Sequence, residues 1–82
     1  MDKLEMKMLE AAEEVLGLPQ DEMSEQFDLD LFENGLIDSL DCVAVMAYME
    51  EALGKKIDLA KMEPDDFTSL QTMTDAIRGM IK

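Results

Sequence analysis

Near the start of the chain, Leu4, Met8, Leu9, Ala12, Val15 and Leu16 recur at helical spacing, with Glu10, Glu13 and Glu14 set outside them. The pattern predicts a first helix over residues 2–16, capped by Asp2 and ended by Gly17 and Pro19. The period then lapses over residues 17–38. Leu29, Leu31, Phe32, Leu36 and Ile37 are nevertheless too apolar for a free loop and are expected to fold back on the core. Gln20 to Phe27 has room for a helical turn.

A helical period returns at residues 39–53, and here it is apolar on two sides. At about 100° per residue, Cys42, Val45, Met46, Met49 and Leu53 share one side. Leu40, Val43, Ala44 and Ala47 lie nearly opposite, bordered by Glu50 and Glu51. One stripe is the expected core face; a chain this short cannot fully surround the helix, so the other reads as a docking surface, the alternative being that the long 17–38 connection folds over it. Gly54 ends the helix, and Lys55 and Lys56 suit its negative C-terminal end. Ile57 and Leu59 can pack down from the following loop, and Pro64, Asp65 and Asp66 fit the first turn of a short helix reaching Phe67. Thr68 with Gln71 reads as a capping box for a last helix whose stripe is Leu70, Met73, Ile77, Met80 and Ile81. The fold predicted is all-α: a single domain over residues 1–82, a small four-helix bundle with three principal helices, one short helix and a long loop between helices 1 and 2. Its core is rich in methionine, a soft gap-filler.

Candidate chemistry gathers where the third segment begins. In Gly35-Leu36-Ile37-Asp38-Ser39-Leu40-Asp41, Asp38 is a strong N-cap, so Ser39 becomes the first helical residue. A helix N-terminus tolerates an anion such as a phosphate, which makes Ser39 a reasonable place for a phosphodiester. A catalytic serine needs an adjacent base and a group that orients it. This chain has no histidine, and no lysine or arginine between Lys7 and Lys55. Ser39 therefore reads as the substrate of another enzyme, and no catalytic residue is assigned.

Charge adds a second constraint. The formal net charge is −13, and thirteen acids fall between Met8 and Gly54 with no base among them. Such a surface repels nucleic acid and anionic lipid and attracts basic protein patches. A lone cysteine, Cys42, excludes an internal disulfide and, without histidine, leaves no metal cluster; it reads as core filling. No stretch is long and apolar enough to span a membrane, and the N-terminus does not read as a signal peptide, so a cytoplasmic protein is expected; it is also expected to be a monomer.

Phe32-Glu33-Asn34-Gly35-Leu36-Ile37-Asp38-Ser39-Leu40-Asp41, followed by a helix ending in Glu50-Glu51-Ala52-Leu53-Gly54, resembles the acyl carrier protein family from the first helix to Met80. The resemblance implies a 4′-phosphopantetheine arm, drawn from coenzyme A and joined to Ser39, whose thiol holds acyl or aminoacyl groups as thioesters. It implies a phosphopantetheinyl transferase that grips a surface including Asp38. An acyl- or aminoacyl-activating ligase and downstream synthases or transferases with basic docking patches are the further partners. Carried over by position, the recognition helix implicates Leu40, Asp41, Val43, Ala47, Glu50 and Glu51. Ala44 departs from the glutamate common in fatty-acid carriers, and Ala47 is smaller than the usual large apolar residue. Fatty-acid-like, polyketide and nonribosomal-type biosynthesis all remain open. The Leu31–Ser39 segment is also similar to D-alanyl carrier proteins of cell-wall modification, but residues 57–74 lack the tryptophan associated with them.

Two readings of another class compete. Asp30 to Asp41 mimics a calcium-binding EF-hand loop, with Asp at position one, Asn at five and Gly at six. Against it, Phe32 offers no oxygen at position three and Asp41 is short for the bidentate position twelve. The other is a plain helical adaptor, using the Leu40/Val43/Ala47 stripe to bind protein, with Ser39 only a neighbour of the cap.

Overall fold

In the computed structural model, which describes residues 1–81, the chain forms four α-helices and two short 3-10 turns, with no strand among the described residues. Helix α1 (Lys3–Ala11) continues into a π-helical turn (Ala12–Leu16), and together they fill the span predicted for a first helix. Asp2 caps it as expected: its side chain accepts from the Glu5 N–H while the Glu5 carboxylate accepts from the Asp2 N–H. Gly17, at φ 70°, takes the left-handed conformation that closes the π turn.

Helix α1 is central, packing against α2, α3 and α4 alike. Leu4, Met8 and Leu9 are buried as the stripe predicts. Val15 and Leu16 are only half-buried, and Ala11 joins Ala12 inside in their place. The wider π turn breaks the 3.6-residue period on which the expectation rested.

The connection from 17 to 38 holds the helical turn for which Gln20 to Phe27 left room. Its first part is α2 (Gln20–Glu25), with Met23 buried, and this is the fourth α-helix of the bundle; Pro64–Phe67 is a 3-10 turn. The second part is strapped to the start of α4 (Leu70–Met80) by backbone bonds, the Leu31 N–H to the Thr68 carbonyl at 2.7 Å and the Gln71 N–H to the Phe27 carbonyl at 2.9 Å. Leu31 and Ile37 are buried accordingly, and Leu29 is half-buried. Phe32 and Leu36, also expected to fold inward, are 38% and 42% exposed. The turn over residues 31–35, closed by Gly35 at φ 69°, aims them outward.

Helix α3 (Ser39–Leu53) matches its predicted span, and Gly54 at φ 64° ends it. Cys42, Val45, Met46 and Met49 are buried, and Leu53 is half-buried. The chain then runs through a 3-10 turn at Leu59–Lys61 to the one opened by Pro64, which reaches Phe67 as expected. Helix α4 is capped one residue later than predicted. Ser69, not Thr68, bonds the Thr72 N–H, and the Thr72 hydroxyl accepts from the Ser69 N–H where Gln71 was expected to act. Leu70, Met73 and Ile77 supply its core face. No helix among the described residues is long and apolar enough to cross a membrane.

Candidate functional site

The site is built on the mouth of α3. Asp38 has extended backbone (φ −126°, ψ −174°), and its Oδ1 accepts the Asp41 N–H at 2.9 Å. Asp41 Oδ2 accepts the Asp38 N–H in return at 3.1 Å. This reciprocal pair fixes the chain direction entering the helix and leaves Ser39 as its first residue. Ser39 is exposed, and none of the hydrogen bonds among the described residues uses its hydroxyl.

One flank of Ser39 is open apolar surface. Leu40 is 80% exposed and Val43 52%, with Ala44 and Ala47 also exposed further along. The 17–38 connection does not fold over them. The other flank is a cleft of about 610 Å³ between α3 and the segment 59–68. Phe32, Cys42, Val43, Leu59, Met62 and Phe67 supply its apolar lining, and Ser39, Asp65 and Thr68 its hydroxyls and carboxylate. An exposed serine thus stands between a helix face and a cleft, on a helix end whose free N–H groups favour an anion.

A family model described as the phosphopantetheine attachment site matches residues 7–77. The chain belongs to that family. No curated protein and no solved structure matches the chain significantly. As a phosphopantetheine carrier domain it is built for covalent attachment of 4′-phosphopantetheine, in a family that works with transferase and synthase enzymes. When bound, the arm supplies a terminal thiol on which cargo is held as a thioester. The residues at the α3 mouth fit such a group. A phosphodiester on an exposed hydroxyl at a helix N-terminus displaces no side chain and breaks no hydrogen bond recorded there.

The remaining residues singled out from the sequence divide into two sets. Leu40, Val43, Ala47 and Glu51 are exposed on the carrier domain's α3. Asp41 and Glu50 are half-buried, and both carboxylates are engaged. Asp41 completes the cap, and Glu50 Oε1 accepts the Ile57 N–H at 2.8 Å. Glu50 therefore ties the loop after α3, which leads into the cleft wall at Leu59, back to the helix, a link that no helical period signals. Cys42 is buried beside the cap, and burial, then the Asp41 and Asp38 carboxylates, push its thiol up to about 11. It is a poor nucleophile there.

The competing calcium loop finds its residues otherwise used. Asp30 Oδ1 accepts the Glu33 N–H at 2.8 Å, and the Asp38 and Asp41 carboxylates bond each other's backbone N–H groups. Among the described residues no group of three or more acids, cysteines or histidines is placed to hold a metal ion.

Proposed function

We propose that Ser39 is the residue that carries the arm, and that residues 1–82 act as a single acyl or aminoacyl carrier domain without catalysis of its own. The observation that carries this reading is the exposed, unengaged Ser39 hydroxyl on the capped mouth of α3, inside the matched segment. Loading is a phosphoryl transfer. Ser39 Oγ attacks the β-phosphorus of coenzyme A's pyrophosphate, forming the new P–O bond. The pyrophosphate bond breaks, adenosine 3′,5′-bisphosphate leaves, and the serine proton passes to a base. This chain offers no histidine to take that proton, so a phosphopantetheinyl transferase supplies the base and the magnesium.

Asp38 contributes by fixing the direction of α3 and by presenting a carboxylate to the transferase. Leu40, Val43 and Ala47 offer partner enzymes an apolar footing. Glu51, with the free oxygen of Glu50 and the backbone-bonded Asp41, draws in their basic patches. Thioester intermediates of fatty-acid-like, polyketide or nonribosomal-type biosynthesis are the proposed cargo.

The test is incubation with coenzyme A, magnesium and a phosphopantetheinyl transferase, followed by intact mass. One phosphopantetheinyl group is expected, and Ser39→Ala should abolish it. An adduct that survives Ser39→Ala moves the attachment elsewhere, and a chain that takes none under conditions that load another carrier is an adaptor.

A further inference from the structure

We infer that Asp65 selects cargo by charge, favouring acyl groups that end in a cationic amine over those that end in a carboxylate. The inference rests on the carrier reading and adds to it a specificity-determining residue on the cleft wall. The cleft shared by Ser39 and Asp65 is lined mainly by apolar side chains, with no lysine or arginine among its lining residues. Its polar groups are not equally free. The Thr68 hydroxyl donates to the Asp65 carbonyl at 3.1 Å, and Cys42 remains a neutral thiol. The neighbouring carboxylate, Asp66, is spent on the Glu63 N–H at 2.8 Å. The Asp65 carboxylate takes part in no hydrogen bond or ion pair among the described residues. It is the one charge the cleft offers to whatever enters from Ser39.

The physical consequence is asymmetric. An ammonium group at the end of an apolar chain gains an unpaired carboxylate without displacing another partner. A carboxylate in the same place meets a like charge, no compensating base, and the field of a chain whose net charge is −13. An uncharged chain of equal length gains the apolar walls for its last carbon as well, which offsets an exposed ion pair, so the comparison that isolates the charge is ammonium against carboxylate. Asp65 is itself exposed at the open lip of the cleft, so the effect is that of a screened pair: about tenfold for ammonium over carboxylate.

The test compares three cargoes of matched length, 6-aminohexanoyl, heptanoyl and hexanedioyl, each loaded from its coenzyme A thioester by a promiscuous transferase. Intact mass first confirms one group on Ser39. Failure at that step overturns the carrier reading itself. Full loading allows the rate of thioester cleavage by hydroxylamine to be measured, normalised to the same thioester on free pantetheine. Greater protection of the amino than of the carboxyl cargo is expected, with the methyl cargo as the apolar reference and amide shifts at Phe67 and Thr68 larger for the amino than for the carboxyl form. Asp65→Asn, which keeps the side-chain shape and the backbone bond to Thr68, should cut the amino-over-carboxyl ratio about threefold. Equal protection of the amino and carboxyl cargoes, or an amino-over-carboxyl ratio unchanged in Asp65→Asn, overturns the inference while leaving the carrier reading intact.

Discussion

Leu40 and Cys42 lie two positions apart on α3 and have opposite fates, and the difference is measurable. Leu40 is 80% exposed, so Leu40→Ala should change stability by no more than about 0.5 kcal/mol while slowing transfer to or from a partner enzyme. A thermal melt beside a loading assay separates the two effects; a large loss of stability would show that Leu40 is packed. Cys42 is enclosed, and its thiol is raised from 9.0 to about 11. Since the neutral form is the one the fold favours, the contribution of Cys42 is fully present below pH 9.0 and is lost as pH climbs toward 11. Thiolate absorbance in the native protein should therefore rise near pH 11, and Cys42→Ala should lose that part of the alkaline destabilisation. Both fates were legible in the sequence, because a 3.6-residue period assigns faces well along a regular helix. Phe32 and Leu36 were not legible. Their exposure is set by a turn strapped to α4 through backbone bonds, and side-chain hydropathy carries no trace of those.

Among the elements, α3 depends on both of its ends. Replacing Asp38 by alanine removes an N-cap and should cost about 0.5–2 kcal/mol, with Asp38→Asn recovering most of it. Chemical denaturation checks this, and an unchanged midpoint would mean the cap does not hold the helix. At the other end, Glu50→Ala strips the Ile57 N–H of its acceptor and should cost about 1–2 kcal/mol. Faster hydrogen exchange at the Ile57 amide, with little change in the middle of α3, is the expected local signature. Element limits set by strong caps and glycines were readable: Asp2, Gly17, Asp38 and Gly54 all act where expected. The start of α4 was misplaced by one residue because Thr68, Ser69 and Thr72 are all competent cap residues, and only the chain path chooses among them. The Glu50 link was invisible for a related reason. A period places Glu50 on a face, but contact with a backbone group seven residues onward depends on how the loop turns.

For the molecule as a whole, the charge excess sets the environment in which it is most stable. Among the described residues the ion pairs are Lys7 with Glu10 and Arg78 with Asp2, which offset little of a net charge of −13. Added salt or divalent cation should raise the melting temperature by screening self-repulsion. A melting temperature flat from low to moderate ionic strength would contradict this. The small size of the body has a further consequence for traffic. Its accessible surface is 4989 Å², and a specific partner of ordinary size covers about 800 Å², roughly a sixth of that total. Any such footprint centred on Leu40 blankets the end of the body where Ser39 stands. Two enzymes cannot then occupy that end together, so clients must take turns, and the departure of one sets the earliest moment at which the next can collect.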